Sequence, residues 1–303
     1  MTRVPQIRLL ADGRRLHLQD GPIDLIVEAC GKAGEVRAAH DGAARRFTGL
    51  LDELCGELPL LRRAADPQAC PLLGIVARRM HAAVAPFAAA HFITPMAAVA
   101  GSVAEEILGA MTGAARLQRA YVNNGGDIAL HLAVGERFAV GLMDRPDAAG
   151  SIRTVVIDSD DPSRGVATSG RHGRSFSLGI ADAVTALAAT ASQADAAATI
   201  IANAVDLPAH PAIVRCPAHD LQPDSDLGAR LVTRGVGELS GREIAAALEA
   251  GAACARRLLA MGLIDGATLR LHGETFVVAT NEVEPAGLRA PAAAGAMDRL
   301  MHA

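Results

Sequence analysis

A run of two asparagines, two glycines and an aspartate spans residues 123–127 and could bind a small ion. Gly125 and Gly126 can adopt backbone conformations that side chains disfavour, so the turn can expose N–H groups to an anion. Asp127 offers a carboxylate where the next strand begins. The same run is also typical of a plain β-hairpin turn, and the residues alone leave both interpretations open.

A second polar run, residues 167–175, combines hydroxyls, glycines and cations within nine positions. Thr168 and Ser169 come first, and Gly170 and Arg171 follow, with His172 and Arg174 close behind. Guanidinium groups and loop amides match the oxygens of a phosphate, so this pattern is suited to an anion. A solvated surface loop would have the same composition, and that alternative stays open.

Asp195 and Thr199 lie four residues apart in a segment with helical periodicity, so they share one helix face. A carboxylate and a hydroxyl are hard oxygen ligands of the kind that Mg²⁺ accepts, with water or phosphate completing the shell. The alternative is structural. Asp195 would then complete a capping box that begins at Ser192, and Thr199 would fill space in the core.

A fourth candidate is the helix that Thr94 and Pro95 are predicted to begin. Its small residues, among them Ala100 and Gly101, would let a ligand or another backbone approach closely. The free N–H groups at its start could bind a phosphate, although every helix has such an end. Cys216, His219 and Asp220 have a metal-like spacing, but no second pair completes a zinc site.

Composition excludes several classes of function. Aromatic residues make up 2% of the chain and the net charge is −4, so a basic, base-stacking nucleic-acid surface is not expected. Five scattered cysteines suit reduced thiols, which predicts a cytoplasmic protein. We also expect no export signal. The apolar run 82–101 contains two prolines and a histidine, which favours a buried turn and helix over a membrane span.

Hydrophobic periodicity predicts an α+β fold with largely antiparallel sheets and packed helices. We expect one domain over residues 1–284 and an Ala/Gly/Pro-rich tail over 285–303. The region 181–188 remains undecided between a strand and a short buried segment. The predicted helices span 43–61, 96–111, 192–205 and 240–261. The predicted strands span 23–29, 116–122, 127–134, 137–143, 152–157, 165–169, 268–271 and 275–279. We expect the second to fourth of these strands to form an antiparallel meander.

Four of these segments, in this order, resemble the ApbE superfamily of flavin-binding proteins, and most closely an uncharacterised soluble, cytoplasmic branch of it. The matching runs are HFITPMAAVAGSVAEEIL at 91–108, VNNGGDIAL at 122–130, GVATSGRHGRSFSLGIADAVTALA at 165–188 and SQADAAATIIANAV at 192–205. Weaker similarity extends the resemblance over most of residues 20–205.

The resemblance implies a T-fold-like α+β arrangement that binds FAD or FMN together with Mg²⁺. The GGD turn and the ATSG strand end would line the flavin site, and the region around Ala100 and Gly101 would meet the nucleotide. The resemblance also assigns the magnesium ligands to Asp195 and Thr199. The cofactor-binding residues implied are Gly125, Gly126, Asp127, Thr168, Ser169, Gly170, Arg171, Ala100 and Gly101.

One departure from the family pattern concerns catalysis. Flavin transferases of the superfamily follow ATSG with a histidine-containing segment ending in D-P-x-T-G, and residues 176–182 lack it. We therefore expect a protein that binds a flavin nucleotide, whose reaction the residues do not specify. Two alternatives are a transferase of FMN from FAD to a protein hydroxyl with a different base, and a pocket adapted to another metabolite. The oligomeric state stays open, a homo-oligomer included.

Overall fold

The computed structural model describes residues 4–142, 153–279 and 300–302 and has α+β architecture, as predicted. Nine strands form one sheet in the order β1-β2-β3-β4-β5-β8-β9-β12-β13, and every neighbouring pair is antiparallel. The strands are β1 Gln6–Leu9, β2 Arg15–Asp20, β3 Ile23–Cys30, β4 Arg119–Asn124, β5 Asp127–Leu132, β6 Arg137–Leu142, β7 Arg153–Asp158, β8 Gly165–Ser169, β9 Ala183–Ala188, β10 Ile213–Pro217, β11 Leu231–Val236, β12 Gly266–Leu271, β13 Glu274–Ala279 and β14 Leu300–His302.

Helices cover one face of the large sheet. They are α1 Ala33–Phe47, α2 Leu50–Gly56, α3 Leu58–Leu61, α4 Ile75–Ala88, α5 Val99–Ala114, α6 Ala191–Ala204, α7 Ala218–Leu221 and α8 Gly241–Ala260, and a 3-10 turn, Pro95–Ala98, precedes α5. One core joins α1, α2, α4 and α5 to β2, β3 and β4, and a second joins α4, α6 and α8 to β8, β9 and β12. In the ranges given above, no helix is both long and apolar enough to span a bilayer.

Strand β5 is buried on both faces, which explains why its residues do not alternate cleanly. Ala129 lies in the core beneath α5, whereas Ile128 and Leu130 face the opposite side of the sheet. There they contact Phe138 and Val140 of β6, which belongs to a separate three-stranded sheet of β14, β6 and β7. Asp127, at the start of β5, is therefore buried, whereas Gly125 in the preceding turn is exposed.

The structure contradicts two of the predicted elements. The helix expected over 43–61 is three helices, because the chain turns at Gly49, whose φ of +85° is disfavoured for other residues. The expected meander also fails at its third strand, because β6 pairs with β7 and β14 and not with β5. The helical spacing of apolar residues continues across Gly49, so the pattern does not reveal the break. Strand periodicity does not indicate which strand pairs with which, so it could not exclude the meander.

Several local predictions are confirmed. Residues 183–188 form strand β9, which settles the undecided region, and β12 and β13 form the expected hairpin. Ser240 and Glu243 form a reciprocal capping box at the start of α8. Of the predicted tail, most lies outside the described residues, and Leu300–His302 pairs in parallel with β6. The domain boundary at 284 stays a prediction.

Helix α6 begins earlier than the predicted capping box at Ser192. Its N-cap is Thr190, whose side chain accepts a hydrogen bond from the Gln193 N–H at 3.3 Å. Ser192 is already inside the helix, and its N–H donates to Glu105 Oε1 at 2.6 Å. Asp195 therefore does not cap α6, and its carboxylate is available for other contacts.

Loss of the Thr190 cap has a predictable cost. We expect Thr190→Ala to lower the free energy of unfolding by about 1 kcal/mol, because the Gln193 N–H loses its partner. Urea denaturation of the purified variant measures the change. The matched variant Thr190→Ser keeps the hydroxyl and should retain most of the stability, so equal losses in both variants would contradict the cap.

Candidate functional site

Helices α5 and α6 approach each other closely at Gly101. A Cβ at this position would stand 2.3 Å from the Ala191 carbonyl oxygen and 2.8 Å from the Ser192 nitrogen. The start of α6 can therefore lie against the first turn of α5 only because residue 101 has no side chain. On the other side, a Cβ at Gly165 of β8 would stand 2.2 Å from the Thr190 carbonyl, so α6 is fixed from two directions.

This packing brings Asp195 to the start of α5. Asp195 Oδ2 accepts a hydrogen bond from the Gly101 N–H at 3.0 Å, and the Ala100 N–H also bonds to this carboxylate. The first N–H groups of a helix lack partners within it and carry partial positive charge, so they stabilise a carboxylate. The small residues predicted to permit close approach do so for α6 and its aspartate.

The two-glycine turn joins β4 to β5 as a tight hairpin. Its φ angles are +68° at Gly125 and +114° at Gly126, and Asn124 pairs with Asp127 across it. The Gly126 N–H donates to Asn123 Oδ1 at 2.8 Å. Asn124 Nδ2 donates to the Ala100 carbonyl at 3.1 Å, so the turn is attached directly to the start of α5.

The end of β8 forms the third side of the site. The Thr168 N–H donates to Asp127 Oδ1 at 3.2 Å, and the Thr168 hydroxyl lies 2.9 Å from the hydroxyl of Thr185. Ser169 follows, partly exposed, and then Gly170, where a Cβ would stand 2.5 Å from the Asp182 carbonyl oxygen. Asp127 and Thr168 are thus in direct contact, and Ser169 is the next residue along β8.

Two carboxylates converge at this point. Burial raises the pKa of Asp127 to about 7, and a backbone N–H from Thr168 opposes the shift only in part. Burial and the adjacent negative charge of Asp127 together raise the pKa of Asp195 well above its usual range. Two acidic groups in a partly dehydrated site cannot both ionise at low cost, so the pair holds a proton or needs a cation.

The donor set fits a hard divalent cation. Carboxylate oxygens are preferred ligands of Mg²⁺, and a cation bound by Asp127 and Asp195 would offset the cost of burying both charges and the repulsion that adds to the raised pKa of Asp195. Within the described part of the chain, no cluster of three or more His, Cys, Asp or Glu side chains could hold a metal ion. Further ligands would therefore be hydroxyl, water or phosphate oxygens. Thr199 lies one turn beyond Asp195 on α6.

The predicted anion loop is only partly available. Arg171 donates from Nε and from a terminal nitrogen to Asp182 Oδ1, at 2.8 and 2.5 Å. The other Asp182 oxygen accepts the His272 N–H at 2.6 Å, so this ion pair fastens the loop to the β12–β13 turn. The role of Arg171 toward a ligand stays a prediction, and in the structure its charge is balanced by Asp182.

The family model described as "AbpE bacteria" matches residues 7–277, which is well over half of the chain. The chain belongs to this family. The match extends beyond the region that carries the motif resemblance, and it includes every residue of the site described above.

Two curated relatives of this AbpE family member, both named UPF0280 protein, show how far the similarity extends. The UPF0280 protein of Methanococcoides burtonii is 38% identical over 124 residues, covering 38% of this chain and 47% of the relative. That of Methanocella arvoryzae is 35% identical over 162 residues, covering 53% of this chain and 63% of the relative. The chain thus spans about half the length of the curated relatives it matches, and their shared name specifies no reaction.

Among solved structures, a mutant of the flavin transferase ApbE from Vibrio cholerae aligns with 94% of this chain and 99% of its own, with 12% sequence identity and a TM-score of 0.37. The roles of residues in this AbpE family member are therefore argued only from the contacts within its own structure.

Sequence reasoning missed two participants in the AbpE site. Asn124, although part of the recognised run, was not assigned a role, and it ties the turn to Ala100. Asp182 was noted only as part of a departure from the family pattern, and it neutralises Arg171. The spacing of Asp182 from Arg171 gave no indication of their pairing, because the contact depends on β8 and β9 being neighbours.

The acidic pair predicts a pH dependence of stability. A carboxyl whose pKa rises on folding binds its proton more tightly in the folded state, so stability falls as pH increases from the unfolded pKa of about 4 toward 7. In the absence of added metal, the free energy of unfolding should fall by up to about 1.4 kcal/mol per pH unit for each proton that the folded state retains. Urea denaturation across this range, compared between the wild type and Asp127→Asn, isolates the effect. Equal slopes in the two proteins would contradict it.

Proposed function

We propose that this protein binds a flavin nucleotide, FAD or FMN, together with Mg²⁺. The observation that carries the proposal is the convergence of Asp127 and Asp195, from different parts of the chain, on one partly dehydrated site. The motif resemblance to flavin-binding proteins and the membership of the AbpE family support the choice of ligand.

Asp127 and Asp195 would hold the cation, with Thr199 as a further candidate oxygen ligand. Bound Mg²⁺ would neutralise the two carboxylates and attract the phosphate oxygens of the nucleotide. The chain's own contribution is to hold the carboxylates in place through the Thr168 and Gly101 N–H groups. These fixed donors orient the acids before any ligand arrives.

The nucleotide would lie against backbone rather than bulky side chains. Gly125 and Gly126 form the turn beside Asp127, and Thr168, Ser169 and Gly170 form the strand end next to it. Ala100 and Gly101 contribute the start of α5. Glycine and small hydroxyl side chains leave room for a ligand to reach backbone N–H groups, which is how proteins commonly bind phosphates.

Titration calorimetry of FAD with and without Mg²⁺ tests the proposal directly. We expect binding in the presence of Mg²⁺ and a clear loss of affinity when the metal is chelated. The absorbance of the purified protein in the flavin region provides a second readout. Absence of FAD and FMN binding in both conditions would refute the proposal and favour a pocket for another metabolite.

A second function, transfer of FMN from FAD to a protein hydroxyl, is favoured by one further contact. His172 Nε2 lies 3.3 Å from Asp182 Oδ1, and a carboxylate can orient an imidazole as a general base. The hydroxyl oxygen would attack the FMN phosphorus, AMP would leave, and His172 would take the hydroxyl proton. Incubation with FAD and threonine-containing peptides should then yield an FMN adduct by mass spectrometry. The absence of an adduct would leave flavin binding as the only proposed function.

The proposed partner is therefore a small nucleotide, not nucleic acid or a membrane. The net charge of −4 supports this choice, because a nucleic-acid surface needs an excess of positive charge. We further propose a cytoplasmic location, on the basis of five cysteines whose described side chains are all free. A homo-oligomer is compatible with these proposals.

A further inference from the structure

The two arginines in the loop after β8 have different surroundings. Arg171 is mostly buried, and Asp182 balances its charge. Arg174 is exposed, and within the described ranges no carboxylate lies within ion-pair distance of it. One of the two cations therefore has a structural partner, and the other is free to meet a ligand.

Arg174 lies against the two-glycine turn. Three guanidinium atoms, Cζ, Nη1 and Nε, lie 3.6, 3.7 and 3.8 Å from the point where a Cβ on Gly125 would stand. These are ordinary contact distances, so Arg174 lies directly against the turn, and it is the φ of +68° that disfavours a side chain at 125. The loop thus returns to place a positive group on the turn that leads into Asp127.

Charge balance indicates what this group could bind. A divalent cation between Asp127 and Asp195 would cancel the two carboxylates and leave no net charge for an anionic ligand. The charge of Arg171 is already cancelled by Asp182. Arg174 is then the loop arginine that can compensate a phosphate, for which a guanidinium has matching donor geometry.

We propose that Arg174, and not Arg171, binds the phosphate oxygens of the ligand and makes the site selective for phosphate-bearing nucleotides over uncharged nucleosides. This inference rests on the proposed function for the flavin part of the ligand. The requirement for an anion rests on the contact between Arg174 and the Gly125 turn and on the charge balance around them, which includes the proposed cation.

Calorimetry with FAD and with inorganic pyrophosphate, in the presence of Mg²⁺, tests the role of Arg174. We expect Arg174→Gln to weaken both ligands by about tenfold to 100-fold, because each loses charge-assisted hydrogen bonds. Arg174→Lys should recover part of the affinity. Since Arg174 is exposed and has no carboxylate partner among the described residues, its variants should keep the wild-type melting temperature.

Arg171→Gln is the matched control. Its loss frees Asp182, so it should lower the melting temperature. With riboflavin as the uncharged comparison, the ratio of FAD to riboflavin affinity should stay at the wild-type value in Arg171→Gln and fall in Arg174→Gln. A structural effect on the loop would change both affinities together and leave that ratio unchanged in each variant.

The outcomes separate this inference from the proposed function. Equal FAD affinity in the wild type and Arg174→Gln overturns the inference and leaves flavin binding intact. Pyrophosphate binding that depends on Arg174, without any FAD binding, supports the inference and refutes the flavin proposal. If the wild type binds neither compound, both are overturned.

Discussion

Asp195→Asn is expected to remove Mg²⁺-dependent flavin binding while leaving the metal-free protein at least as stable as the wild type at pH 8. The amide can still accept the Gly101 N–H, so the link between α5 and α6 persists. Asparagine carries no charge, so it avoids both the cost of burying a carboxylate and the repulsion from Asp127, which together raise the pKa of Asp195. If Asp195 is a metal ligand as proposed, its loss should weaken the Mg²⁺-dependent affinity by about 100-fold or more.

Two measurements are needed, calorimetry of FAD with Mg²⁺ and urea denaturation without metal. Glu106→Gln provides the contrast. Burial disfavours the charge of Glu106, but hydrogen bonds from Arg46 and Arg79 hold its pKa below the usual range, so its ionised form stabilises the fold. We expect Glu106→Gln to lower stability and spare affinity. If Asp195→Asn also lowered stability and spared affinity, the carboxylate would be structural.

Gly101→Ala should produce the largest loss of stability among single-methyl changes in α5. The added Cβ would stand 2.3 Å from the Ala191 carbonyl oxygen, which is backbone and cannot rotate away. Helix α6 would have to move, and the Asp195 bond to the Gly101 N–H would stretch or break. We expect a loss of about 3 kcal/mol in the free energy of unfolding, together with weaker ligand binding.

Gly109→Ala is the control within the same helix. A Cβ there has no other atom within 4 Å and the position is exposed, so the change should stabilise the protein by about 0.5 to 1 kcal/mol. Urea denaturation of both variants gives the comparison. Similar effects of the two substitutions would mean that the contact between α5 and α6 does not depend on glycine at 101.

Features that depend on a few neighbouring residues were predictable. The Asn-Asn-Gly-Gly-Asp run was expected to turn and does so, and the capping box of Ser240 and Glu243 forms as expected. In both cases, the partners are within four positions of each other in the chain. The α+β class followed in the same way from the periodicity of the segments.

Local patterns misled where a competing contact lay elsewhere. Ser192 with Asp195 has the spacing of a capping box, but Thr190 caps the helix and Asp195 bonds to Gly101. Arg171 has the setting of an anion-binding residue, but Asp182, just before the adjacent strand β9, balances it. Charged and polar groups take the partner that folding brings closest, and that partner need not be near in sequence.

By itself the sequence determined the α+β class, the turn at residues 123–127, the capping box of α8 and the side chains that could bind a cation or phosphate. Only the tertiary structure decided that Asp127 and Asp195 share one site and that, among the described residues, Arg171 has a carboxylate partner and Arg174 does not. The reason is physical. Turns and caps arise from contacts within a few residues, whereas burial and the repulsion between two carboxylates depend on distance through space.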